Sequence, residues 1–159
     1  MYDFKIEAAD KATLYRDLAS ALEGLVAGEP DGIANMANAA ALIWESLPDI
    51  NWAGFYRMID GELVLGPFHG RPACIRIKLG EGVCGTAAAT REVQLVEDVH
   101  AFPGHIACDS ASASEIVVPL IRDGEVAAVL DIDSPSLARF DEEDRAGIVR
   151  LGEILSGAV

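Results

Sequence analysis

The sequence is short of positive charge, of aromatic rings and of cysteine, and each shortage narrows its chemistry. Only 12 Lys and Arg stand against 26 Asp and Glu, a formal net charge of −14. Such a surface repels phosphate backbones and anionic headgroups, which disfavours nucleic-acid and membrane partners. No run approaches the roughly 20 apolar residues of a membrane span. The opening Met1-Tyr2-Asp3-Phe4-Lys5-Ile6-Glu7 has neither the basic stretch nor the apolar stretch of a signal peptide. The chain therefore reads as cytoplasmic. Three cysteines in a reducing compartment do not make a disulfide framework; they are core residues, metal ligands or redox groups. Their spacings lack the close C-x2-C pairs of structural zinc sites, and His69, His100 and His105 complete no ligand pattern, so no metal is expected.

What is present is enough for one domain. A chain of 159 residues, 51% hydrophobic, can bury its own core. Leu14, Leu18, Leu22 and Leu25 recur at helical spacing between Asp10, a natural N-cap, and Gly28, a left-handed helix end. A second helix is expected to start at Pro30 and to stop at Pro48, with Ile33, Met36, Ala37, Ala40, Ile43, Trp44 and Leu47 as its apolar face. Beyond Pro48 the pattern turns to strands. Trp52 to Met58 should pair with Leu63 to Phe68 across Asp60-Gly61, a strong hairpin signal. Ala73 to Leu79 reads as a strand, Val83 to Arg91 as a short helix starting at glycines, and Gln94 to Val96 as a brief strand. A loop from Asp98 to Ser114 follows, long enough to suggest function. Glu115 to Ile121 and Glu125 to Asp133 make a second hairpin about Asp123-Gly124, and Asp141 opens a last helix. Helices at about 10–48 and 141–157 thus flank a mostly antiparallel sheet at about 50–135. That layout is α+β.

Three kinds of side chain carry the candidate chemistry. Cys74, Cys84 and Cys108 sit in polar or Gly-rich settings such as Gly82-Val83-Cys84-Gly85 and His105-Ile106-Ala107-Cys108-Asp109. A structural cysteine usually lies in an apolar segment, whereas a thiol on a Gly-rich turn is open to a ligand or oxidant. A helix N-terminus beside Cys84 would lower that thiol's pKa. Asp131 and Asp133, two apart on one strand, share a face, and an acidic pair beside Val126-Ala127-Ala128-Val129-Leu130 is costly unless used. The plain alternative is a solvated strand end. Trp52 and Tyr56 also share a face, as a ligand wall or as core. His100 and His105 are set aside as solvated or locally bonded loop histidines. Gly82 to Gly85 has neither the Walker nor the G-x-G-x-x-G spacing, so it is no phosphate loop.

The motifs themselves are more specific than the layout. Asn51-Trp52-Ala53-Gly54-Phe55-Tyr56, Gly66-Pro67-Phe68-His69-Gly70 and Gly82-Val83-Cys84-Gly85-Thr86-Ala87-Ala88 resemble the free methionine-(R)-sulfoxide reductases, a GAF-domain family. So do Val96-Glu97-Asp98-Val99-His100, Gly104-His105-Ile106-Ala107-Cys108-Asp109, Ser114-Glu115-Ile116-Val117 and Val129-Leu130-Asp131-Ile132-Asp133-Ser134. The resemblance implies a single GAF-like domain over 1–159. It also implies reduction of free L-methionine-(R)-sulfoxide, with thioredoxin as electron donor and no bound cofactor. By the same resemblance Cys108 is the nucleophile, passing through a sulfenic acid to an intramolecular disulfide. Cys74 is then the first choice as resolving cysteine and Cys84 the alternative. Glu115, Asp131 and Asp133 fall in the ligand pocket with Trp52 and Tyr56. The family also implies a homodimer through the N-terminal helices. The competing reading is a non-catalytic GAF sensor of a small molecule or of redox state.

Overall fold

The computed structural model describes residues 6–106 and 110–159. Its elements are α1 (Lys11–Val26), α2 (Gly32–Ser46), β1 (Trp52–Ile59), β2 (Glu62–Gly70), β3 (Arg76–Lys78), α3 (Gly82–Thr90), β4 (Gln94–Val96), a 3-10 turn (Val99–Ala101), β5 (Ser114–Arg122), β6 (Glu125–Ser134) and α4 (Glu142–Ser156). The strands form one six-stranded sheet in the order β3-β2-β1-β6-β5-β4, and every neighbouring pair is antiparallel. This is the α+β domain expected, with helices at both ends of the chain.

Local chemistry sets most boundaries. Asp10 caps α1 by accepting from the Thr13 amide at 2.7 Å. Asp141 and Asp144 form a reciprocal capping box at α4. Asp60-Gly61 and Asp123-Gly124 have positive φ at both positions, the backbone of the tight turns that match sheet twist. Other expectations need correction. Asp31, not Pro30, caps α2, accepting from the Ala34 amide, so the proline lies outside the helix. Ile33 and Trp44 are 45% and 37% exposed, whereas Asn35, Ala39 and Leu42 are buried, so the apolar face of α2 is rotated from the one read from its large residues. The strand expected from Ala73 to Leu79 shrinks to Arg76–Lys78.

Alternation along the strands builds two cores. Ala53, Phe55, Ile116, Val118, Leu120, Leu130 and Ile132 face α1, α2 and α4. The opposite face carries Trp52, Tyr56, Val117 and Val129, covered by α3 through Val83, Cys84, Ala87 and Ala88. The second layer holds the site. α3 can lie this close because Gly85 has no side chain: a Cβ there would stand 2.3 Å from the Lys78 carbonyl oxygen.

Candidate functional site

Register brings the acidic residues to the centre of the second face. Trp52 on β1 is opposite Asp133 on β6, and Asp133 is opposite Glu115 on β5, so three adjacent strands contribute one row. Asp131 sits two residues along β6, opposite Gly54 and Val117. All of these side chains point away from α1, α2 and α4 and toward the face covered by α3, as the period of two requires. A cavity of about 40 Å3 opens over them, walled by Trp52, Tyr56, Cys84, Glu115, Asp131 and Asp133 and roofed by His105 and Ile106.

One wall is aromatic. Trp52 stacks on Tyr56 with ring centres 5.8 Å apart, and on Phe68 at 5.2 Å. The indole Nε1–H donates to the Arg71 carbonyl at 3.2 Å, which fixes the ring. Trp52 and Tyr56, both singled out from the sequence, line the cavity, and Phe68 supports Trp52 by stacking on it. The β1–β2 register shifts between Gly54 and Tyr56, and this bulge puts Phe68 opposite Gly54. A Cβ on Gly54 would lie 2.3 Å from the Phe68 Cβ, so the stack depends on that glycine. His105, set aside from sequence, lines the cavity, and burial with neighbouring His100 lowers its pKa. Its place above the carboxylates comes from the path of the loop, which no local motif announced.

Beside the aromatic residues, on the same face of the sheet, the wall is acidic. Glu115 and Asp131 are each 6% exposed, which overturns the solvated strand end as a reading of Asp131. Among the described residues, no salt bridge reaches either carboxylate. The Cys84 thiol donates to Glu115 Oε1 at 3.9 Å, and Asp131 Oδ1 is buried with no hydrogen-bond partner. Burial, reinforced by the charges of Asp131 and Asp133, pushes Glu115 well above the usual carboxylate range. Burial raises Asp131 to about 6. Burial of Tyr56, with Asp131 close by, raises its phenol too.

The three cysteines part company. Cys84 is 4% exposed and its pKa is driven well up, first by burial and then by Asp131 and Glu115. The expectation of an open thiol activated by a helix N-terminus is therefore wrong for Cys84. Two adjacent carboxylates and the loss of solvent outweigh a terminal dipole worth about 1 kcal/mol. Cys74 is half-buried and packs against the same apolar cluster. Cys108 lies outside the described residues, as do its neighbours Ala107 and Asp109.

One six-stranded antiparallel sheet, with helices on one face and a cavity between the other face and a short helix, fits a GAF domain, and the GAF domain family matches residues 35–159. The chain is 54% identical to the free methionine-R-sulfoxide reductase of Escherichia coli over 89% of its length and 86% of that protein's. It is 44% identical to the enzyme of the same name from Saccharomyces cerevisiae, covering 92% and 86%. It superposes with a TM-score of 0.95 on the X-ray structure of free methionine-R-sulfoxide reductase from Neisseria meningitidis in complex with its substrate, at 48% identity over 99% of this chain and 95% of that one. The chain belongs to the free methionine-R-sulfoxide reductase family of GAF domains.

Proposed function

We propose that the protein reduces free L-methionine-(R)-sulfoxide to methionine, with Cys108 as nucleophile and Cys74 as resolving cysteine. The observation that carries this reading is the cluster of buried Glu115 and Asp131 and half-buried Asp133 beside Trp52 and Tyr56 on one cavity wall. A free amino acid brings an ammonium, which acidic side chains bind once both are desolvated. A peptide-bound residue brings a neutral amide instead. The aromatic wall suits the methyl end of the substrate and leaves the sulfoxide oxygen for a proton donor. Glu115 fits the donor role because burial and two neighbouring carboxylates keep its proton on. Asp131 and Asp133 then take the ammonium.

In the reaction, the Cys108 sulfur attacks the sulfoxide sulfur while Glu115 protonates the oxygen. Oxygen passes to Cys108 as a sulfenic acid, and methionine leaves. A second thiol attacks the sulfenic sulfur, water departs, and a disulfide remains. Cys74 suits this second role better than Cys84: it is disulfide-bonded, whereas Cys84 keeps a free, buried thiol of raised pKa. Thioredoxin returns two electrons and two protons to reopen the disulfide. No prosthetic group enters these steps. The N-terminal helices form the homodimer contact in this reading, and exposed Ile33 and Trp44 on α2 are apolar surface suited to it.

The test is NADPH consumption coupled through thioredoxin and thioredoxin reductase. Free methionine-R-sulfoxide should turn over, while its S epimer and a peptide-bound sulfoxide should not. Cys108→Ser should abolish the rate. Ligand binding without turnover by the reduced wild type would replace the reductase with the GAF sensor reading.

A further inference from the structure

Cys84 takes no part in the reaction just described, yet its sulfur is buried against two carboxylates. We propose that Cys84, Glu115 and Asp131 form a three-ligand binding site for a divalent cation of the zinc class. One thiol sulfur and two carboxylate oxygens, from α3, β5 and β6, lie within 4.8 Å of one another, and all three residues are buried. Cys84 Sγ and Glu115 Oε1 are 3.9 Å apart. Zinc–sulfur and zinc–oxygen bonds in a tetrahedral site set such a pair at roughly 3.5 Å, so only small side-chain adjustment is needed.

Two further observations point to a cation rather than a mere acidic cluster. Asp131 lines the cavity, and its Oδ1 is buried and unpartnered, an acceptor that the protein itself leaves unused. Among the described residues neither Glu115 nor Asp131 has a salt-bridge partner, although Arg71 also lines the cavity. The cavity of about 40 Å3 has space for an ion and a water in the fourth position. A thiolate with only two carboxylates selects a borderline-soft, four-coordinate ion over magnesium or calcium, which want six or more oxygens. Binding releases the thiol proton, and the proton held on Glu115, to solvent. Spacing along the chain hides this site, because its ligands are separated by 31 and 16 residues and only the register of β5 with β6 and the docking of α3 unite them.

Metal and substrate would contend for Glu115 and Asp131. That consequence rests on the reductase reading; metal binding itself does not. The experiment therefore reads binding alone, on the full chain carrying Cys74→Ser and Cys108→Ser so that Cys84 is the one thiol. Titration with Co2+ should give one equivalent bound, with a near-ultraviolet thiolate-to-cobalt charge-transfer band and visible bands of tetrahedral intensity. Zn2+ should bleach them. Cys84→Ala added to this background should erase the charge-transfer band. Glu115→Gln, which keeps shape and thiol, should weaken binding at least about tenfold, in line with loss of one charged ligand. Folding of each variant is checked by circular dichroism, and Glu115→Gln serves if Cys84→Ala does not fold. Absence of the charge-transfer band, or cobalt binding unchanged by either substitution, overturns the proposal.

Discussion

Asp131→Asn should make the protein more stable and worse at its task, by an amount that depends on pH. Asparagine keeps the shape of the protonated acid and cannot ionise. In the folded protein burial raises Asp131 from 3.8 to about 6. Between those values the folded state holds a proton that the unfolded chain has released. The sign follows from linkage: with fewer protons bound in the unfolded state, stability falls as pH rises through this window. The accumulated cost above pH 6 is about 3 kcal/mol, from 1.36 kcal/mol per unit. Asp131 is only 6% exposed, so solvent screening does not reduce this figure greatly. Thermal and urea unfolding of wild type and variant should therefore agree near pH 4 and diverge by pH 7. The expected gap at pH 7 is a melting point higher by roughly 6–12 °C for Asp131→Asn, on the scaling for chains of this size. Glu115 adds in the same direction, because loss of the Asp131 charge relieves it. If Asp131 binds the substrate ammonium as proposed, the same substitution should also raise KM for the free sulfoxide. An Asp131→Asn protein less stable than wild type at pH 7, or shifted equally at pH 4 and 7, would refute the assignment of Asp131 as a strained, buried acid.

Two other substitutions separate the site from its scaffold. Gly54→Ala should cost about 1–3 kcal/mol by overpacking, since the new Cβ meets the Phe68 Cβ at 2.3 Å and the backbone oxygen of Pro67 at 2.8 Å; displacement of Phe68 from Trp52 should also raise KM, measurable in the coupled assay. Tyr15→Phe removes a hydroxyl that donates to Asp144 Oδ1 at 2.7 Å on the far side of the sheet. Urea unfolding should show a loss of about 1.5–3 kcal/mol, the range for a hydrogen bond to a charged group, with kcat unchanged.

The difference between what the sequence told and what it withheld has a physical pattern. Asp10, Asp141 and the Asp-Gly turns act within four residues of themselves, so the ends of α1 and α4 and both hairpins were legible. Trp52 with Tyr56, and Asp131 with Asp133, were legible as pairs because a strand's period of two puts them on one face. The face itself was not: only the pairing of Trp52 with Asp133 and of Asp133 with Glu115 turns two pairs into a pocket. The stacking of Phe68 on Trp52 was not legible because one bulge shifts its register, and the apolar face of α2 was misplaced because large residues were taken for buried ones. Cys84 is the most instructive case. Its local setting, a helix start among glycines, lowers a thiol's pKa, while its tertiary setting raises it. The dipole acts through one turn of backbone, but Glu115 and Asp131 arrive from strands more than thirty and forty residues away and bring two carboxyl groups into a buried site. Wherever a short-range and a long-range effect oppose each other, sequence reports the first alone. A titration of the Cys84 thiol in the Cys74→Ser, Cys108→Ser protein thus weighs the two directly: a pKa above the ordinary cysteine value means that burial and carboxylates win, and a lowered one means that the helix does.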